Sequence, residues 1–183
     1  MENGSLLPLA NWANYYVIIG SSAGALTGLQ FVVMTLVSQG RRPARTQDVR
    51  AFGTPTVVHF CAALLVSAIM TAPWPSLTDL DGGIAVCGGS GVVYGLIVLS
   101  HARKALYQAD LGDWLWYGVL PLAAYAVLGC SALLIWSRPI LAPFVIGATT
   151  LGLLFIGIHN SWDTVTYIAA HHHRAAESSE SSG

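Results

Sequence analysis

Four side chains of this 183-residue sequence are polar where their surroundings are not: Gln30, His59, His159 and Asp163. His59 shares a helical face with Thr56, Ala63 and Ser67, while His159 and Asp163 stand four apart on one face and are followed by Thr166 and Tyr167. An imidazole titrates near neutral pH, and beside a carboxylate it can relay a proton or help to hold an ion. Taken together, His59, His159 and Asp163 are two imidazoles and a carboxylate, a donor set suited to zinc or to non-haem iron with open positions. The H-x-x-x-D spacing is nonspecific by itself, and no H-E-x-x-H motif accompanies it. Other chemistry has less support. No G-x-S-x-G elbow is present, no second intramembrane acid stands ready to pair with Asp163, and unequal depths argue against a haem between His59 and His159. The His171, His172, His173 triplet follows the last apolar run and is assigned no role.

The elements that must position these groups are set by lipid. Hydrophobic residues make up 54% of the chain and charged residues only 9%, against roughly 25% charged in a soluble domain. A chain so poor in charge cannot cover a water-facing surface, whereas a bilayer requires only that the backbone satisfy itself, which helices do unaided. Five runs are long enough to cross: Tyr15 to Ser38, Phe52 to Trp74, Gly83 to Ser100, Trp114 to Trp136, and Ile140 to about Ser161. Arg41 to Arg45, the stretch from Pro73 to Gly83, His101 to Asp113, and Ser137 to Pro139 separate them. The expected fold is all-α: one integral membrane bundle of five transmembrane helices over residues 1–174, followed by a polar, disordered tail at 175–183.

Seven of the eight basic residues, Arg41, Arg42, Arg45, Arg50, Arg103, Lys104 and Arg174, fall on one side of that topology, and only Arg138 on the other. Lys and Arg near span ends are retained in the cytoplasm, so the N-terminus is expected outside and the C-terminus inside, in a bacterial-type inner membrane or an equivalent bilayer. All six tryptophans stand at span ends, Trp12, Trp74 and Trp136 at the outer interface and Trp114, Trp116 and Trp162 at the inner. Gly20, Gly24 and Gly28, and Gly91 with Gly95, recur at spacings that let helices approach closely. Cys61, Cys87 and Cys130 read as small packing residues rather than as a disulfide or zinc framework.

Counting about 1.5 Å per residue from the span centres puts Gln30 and His59 slightly to the cytoplasmic side of the midplane, and His159 with Asp163 nearer the inner interface. Two arrangements are open. In one, His59, His159 and Asp163 converge on a metal. In the other, which the residue count favours, His159 and Asp163 meet His101, Arg103 and Asp113 at the surface while His59 keeps company with Gln30. The leading functional expectation is a channel or transporter-like bundle, homo-oligomeric or joined to a membrane-complex partner, with Gln30, His59, His159 and Asp163 as its polar site. A metal-dependent intramembrane enzyme and a non-catalytic subunit of a larger membrane complex are the alternatives, and the balance is against an enzyme. A formal net charge of −1, with no phosphate loop or basic stripe, gives nucleic acid nothing to bind.

Overall fold

The computed structural model describes residues 7–38, 46–105 and 111–180, with side chains over 9–35, 54–100, 112 and 114–166. Within them every regular element is a helix: α1 (Leu7–Ser38), α2 (Thr46–Thr71), α3 (Leu77–Ala105), the short α4 (Leu111–Trp114) running into a π turn (Leu115–Val119), α5 (Leu120–Ser137) and α6 (Ala142–Glu180), with short non-helical connections at 72–76 and 138–141. Five helical stretches are long and apolar enough to cross a membrane, Leu9–Thr35, Thr54–Thr71, Leu77–Ser100, Leu115–Ser137 and Ala142–Thr166. The expected all-α, five-span multi-pass membrane protein is the observed one. Large apolar side chains such as Ile18, Phe31, Val86, Leu133 and Phe155 point outward, where lipid is their natural solvent.

Two boundaries differ from the sequence reading. The third helix starts at Leu77 rather than Gly83 because Ser76 caps it: the Asp79 amide donates to Ser76 Oγ at 3.3 Å, and Ser76 Oγ donates to the Asp79 carboxylate at 2.8 Å. Charge and glycine in Asp79 to Gly83 point to a loop as long as the cap is left out of account. At the other end of the chain, α6 continues to Glu180, into the polar stretch expected to be disordered. Ala169, Ala170, Ala175 and Ala176 are strong helix formers, and a helix already nucleated in the membrane extends at little cost.

Helix α6 is the hub. Over half of its span is buried, and it packs against α1, α2 and α5, while α3 pairs mainly with α5 and α1 mainly with α2. Tyr15 donates its hydroxyl to the Gly147 carbonyl at 2.9 Å, Tyr16 to that of Pro143 at 3.1 Å, and Ser161 to Gln30 Oε1 at 2.9 Å. These three ties link α1 to α6 at nearly constant sequence offset, so the two helices run parallel in fixed register. The first two sit at the end of the bundle where Arg138 joins α5 to α6, here the Arg138 end. The third lies toward the opposite end, where residues 39–45 join α1 to α2, here the first-loop end.

The two ends are built differently. Trp12 packs edge-on to Tyr15 and Phe144, and Trp136 reaches Asp81 with its indole N–H at 3.3 Å, an aromatic band at the Arg138 end. From there to mid-bundle the core is apolar, with Val66, Ile84, Leu128, Ile146 and Leu153 almost fully buried. A surface crevice at this end, bordered by Leu9, Met70, Leu80, Ile135 and Ile146, continues the same apolar lining. The buried amides and the buried imidazole are in the other half.

Close packing comes from particular glycines. A side chain on Gly88 would fall on the backbone of Gly129, and one on Gly91 would enter the ring of Tyr125, so α3 and α5 touch where those side chains are missing. Gly24 and Gly28, expected to serve the same purpose on α1, have nothing within 4 Å of a built Cβ. Of the three cysteines only Cys87 is a core residue, Cys61 and Cys130 being exposed, and all three are free.

Candidate functional site

Hydroxyls in this bundle mostly look after themselves. Ser67, Ser131, Thr150 and Thr164 donate to carbonyls of their own helices at 2.6–2.8 Å, so their burial leaves no donor stranded. Amides and imidazoles are too long or too rigid to do this and must look across a helix interface for partners. The site is assembled from such groups.

Gln30, on α1, is 4% exposed and turns toward α6, where its Oε1 accepts the Ser161 hydroxyl. His59, on α2, is 2% exposed and turns toward α5, its Nδ1 lying 2.9 Å from the hydroxyl of Tyr125. Gly91 creates the space for that tyrosine, and Gly157 does the same for Phe60, beside His59, since a Cβ on it would lie 2.5 Å from the Phe60 ring. The Phe60 to Gly157 contact fixes the antiparallel register of α2 and α6, bringing Thr56, one turn along α2, level with Asn160 and Ser161. Thr56 and Asn160 are both fully buried.

Asn160 is the residue that the sequence reading missed. Its carbonyl accepts from Thr164 Oγ1 at 2.8 Å and from the Tyr117 hydroxyl at 3.3 Å, while both polar atoms of its side chain have no partner. The π turn aims Tyr117. Pro121 lacks an N–H and its ring crowds the carbonyl four residues earlier, so the helix widens just before it, with the Leu120 amide bonding back to Leu115 O. This turn carries Trp116 as well, which stacks flat on His159 at 3.7 Å between ring centroids and 4° between planes.

His159 faces away from the sealed layer and is 35% exposed. Its Nδ1 lies 3.3 Å from Asp163 Oδ2 without the alignment of a hydrogen bond, and Asp163 is itself 43% exposed, three residues from the end of its span. The pair is thus accessible at the first-loop end, one turn of α6 carrying it alongside Asn160 and Ser161. The side chains of His101, Arg103 and Asp113, with which a surface cluster was expected, lie outside the described ones, as do those of His171 to His173.

The four sequence-derived residues therefore divide into three pairs with separate partners: Gln30 with Ser161, His59 with Tyr125, and His159 with Asp163. Gln30 and His59 are not bonded to each other, since they look to different helices. Nor do His59, His159 and Asp163 assemble the three-ligand metal set. Among the described residues no three His, Cys, Asp or Glu side chains gather in a way that could hold a metal ion. The direct reason is that His59 is engaged by Tyr125 and enclosed, while His159 is clamped under Trp116 on the more exposed face of α6.

Tyr125 and Tyr117 carried a signal in the sequence. Tyrosines concentrate at membrane interfaces, and one in the middle of an apolar run needs a buried partner for its hydroxyl. Asn160 had a weaker one: it stands inside a run of polar residues, His-Asn-Ser-Trp-Asp, in which attention falls first on the ionisable members. No protein-family model, curated protein or solved structure matches the chain.

Proposed function

We propose that this chain is a small transporter-like membrane protein that admits a polar solute from its first-loop side into a site half way across the bundle, and that the structure is its closed state. The observation that carries the reading is the one-sided distribution of polarity. A layer of the buried Gln30, Thr56, His59, Tyr125 and Asn160 with the half-buried Ser161 occupies the half of the bundle next to the first loop, whereas in the other half the core is apolar apart from hydroxyls such as Ser67, Ser131 and Thr150 that are satisfied on their own helices. A polar layer of this kind is unfavourable inside a membrane unless it serves a path or a partner. Because it stops at mid-bundle, it fits alternating exposure of a site better than an open channel. His159 and Asp163, exposed at the end of the span, are the groups that an incoming solute meets first. The positive-inside bias of Arg41, Arg42, Arg45 and Arg50 makes this the cytoplasmic side, with the C-terminus cytoplasmic.

The test is uptake into liposomes containing the purified full-length chain, with small neutral, cationic and anionic solutes and protons followed separately. Saturable uptake of one class above that of protein-free vesicles is expected. Asp163→Asn should reduce it about tenfold, which corresponds to about 1.4 kcal/mol of interaction at the mouth. Uptake equal to that of empty vesicles for every class, or uptake indifferent to Asp163→Asn, would overturn the reading.

A further inference from the structure

Among the described residues, three buried amide atoms are left without partners at one level of the bundle, while the other two unpaired atoms, Asp81 Oδ1 and His159 Nδ1, belong to groups nearer its two ends. Gln30 Nε2 and both Asn160 Nδ2 and Oδ1 have no hydrogen-bond partner, although Gln30 is 4% exposed and Asn160 not exposed at all. The Ser161 to Gln30 bond sets their common level, since Ser161 follows Asn160 directly and fastens α6 to α1 there. Hydroxyls elsewhere in these helices satisfy themselves on the backbone, so the unmet capacity at this level belongs to the two amides. Two NH2 groups and one carbonyl oxygen are therefore offered to a molecule that can accept and donate.

Charge decides which kind. The formally charged carboxylate described nearby, Asp163, is on the exposed side of α6 with His159, and the groups enclosed at the amide level are neutral. An ion held there would lose its hydration with no opposite charge beside it, whereas an uncharged molecule exchanges its hydrogen bonds to water for equivalent ones to the amides. Metal and ion sites are thus disfavoured at this level, and a neutral one is favoured.

We infer that Gln30 and Asn160 form a binding site for a small uncharged solute of the carboxamide type. The solute carbonyl would accept from Gln30 Nε2 and Asn160 Nδ2, and its N–H would donate to Asn160 Oδ1. In the closed state the amides are sealed, so binding requires α1 and α6 to part at the Ser161 to Gln30 bond. The inference names the solute of the transporter-like reading above and rests on that reading for its biological sense, while binding itself is measured independently of transport.

The experiment is saturation-transfer NMR on the full-length protein in nanodiscs, with acetamide as probe and acetate as its charged counterpart of similar size. Acetamide is expected to receive saturation from the native protein and acetate not. In Asn160→Leu, which keeps the branching of the side chain without its polarity, the acetamide signal should fall about tenfold. The unfolding midpoint of that variant should equal or exceed that of the native protein, because an unpaired amide has been replaced by an apolar group of the same shape. Gln30→Met supplies a second variant if Asn160→Leu does not fold. No transfer to acetamide in the native protein, equal transfer in the variants, or preference for acetate would each overturn the inference. Acetamide binding that depends on Asn160, found without any uptake into liposomes, would support this site and refute the transport reading. Uptake with no dependence on Asn160 would do the reverse.

Discussion

Gly88→Ala is expected to destabilise the bundle by about 3 kcal/mol, at the upper end of what overpacking a tight interior usually costs. The added methyl group meets the backbone of Gly129 on α5, not a side chain that could rotate away, so the two helices must separate along their shared face. Separation would also loosen Gly91 from Tyr125 one turn further on, and with it the tyrosine that holds His59. Its neighbour provides the control. Gly89 faces open space, and Gly89→Ala should be neutral or slightly stabilising, since alanine is the better helix former. Reversible unfolding in mixed micelles measures both. Equal midpoints for the two variants would mean that α3 and α5 do not cross at Gly88.

The second large effect concerns the bond at the centre of the polar layer. Tyr125→Phe keeps the ring seated against Gly91 and removes only the hydroxyl, leaving His59 Nδ1 enclosed without a partner. The expected loss is about 1–3 kcal/mol, the usual consequence of stranding one buried polar group. Whether the tyrosine or the imidazole supplies the proton depends on the histidine tautomer, and the sign of the effect is the same in both cases. His59→Leu alone strands the tyrosine instead. Adding His59→Leu to Tyr125→Phe removes both partners and should recover part of the stability, so the two changes are not additive. Strict additivity in a double-mutant cycle would show that the pair is not bonded.

Much of the fold was legible because lipid imposes a simple rule on sequence. Apolar runs of about twenty residues bounded by Arg41 to Arg45, Pro73 to Pro75, and Ser137 to Pro139 had to be helices long enough to cross a bilayer, and they are. Run-counting fails at the ends, where local hydrogen bonding decides. Ser76 and Asp79 extend α3 into a stretch that charge and glycine had marked as loop. Alanines carry α6 beyond the polarity change at Arg174.

The site was legible in its members and not in its pairings. Gln30, His59, His159 and Asp163 announce themselves as polar groups within or beside apolar runs. Which of them meet depends on the rotation of each helix about its axis, and helix packing sets that. Residues such as Gly91 and Gly157 fix these rotations, and a glycine in a sequence does not reveal what will fill the space beside it. The same rotation separates Asn160 from His159. Adjacent in the chain, they point about 100° apart on the helix, one into the sealed layer and the other toward the exposed pair with Asp163.

The proposed site depends most on Gln30 of α1 facing Ser161 of α6 inside one chain. Combining Gln30→Cys with Ser161→Cys, in a background where Cys61, Cys87 and Cys130 are replaced by alanine, tests this by oxidation in native membranes. An intramolecular disulfide is expected to form readily, while Gln30→Cys with His159→Cys should form none, because His159 lies on the other side of α6. Failure of the first pair to cross-link, or cross-linking only between separate chains, would contradict the shared amide level on which the proposed site is built.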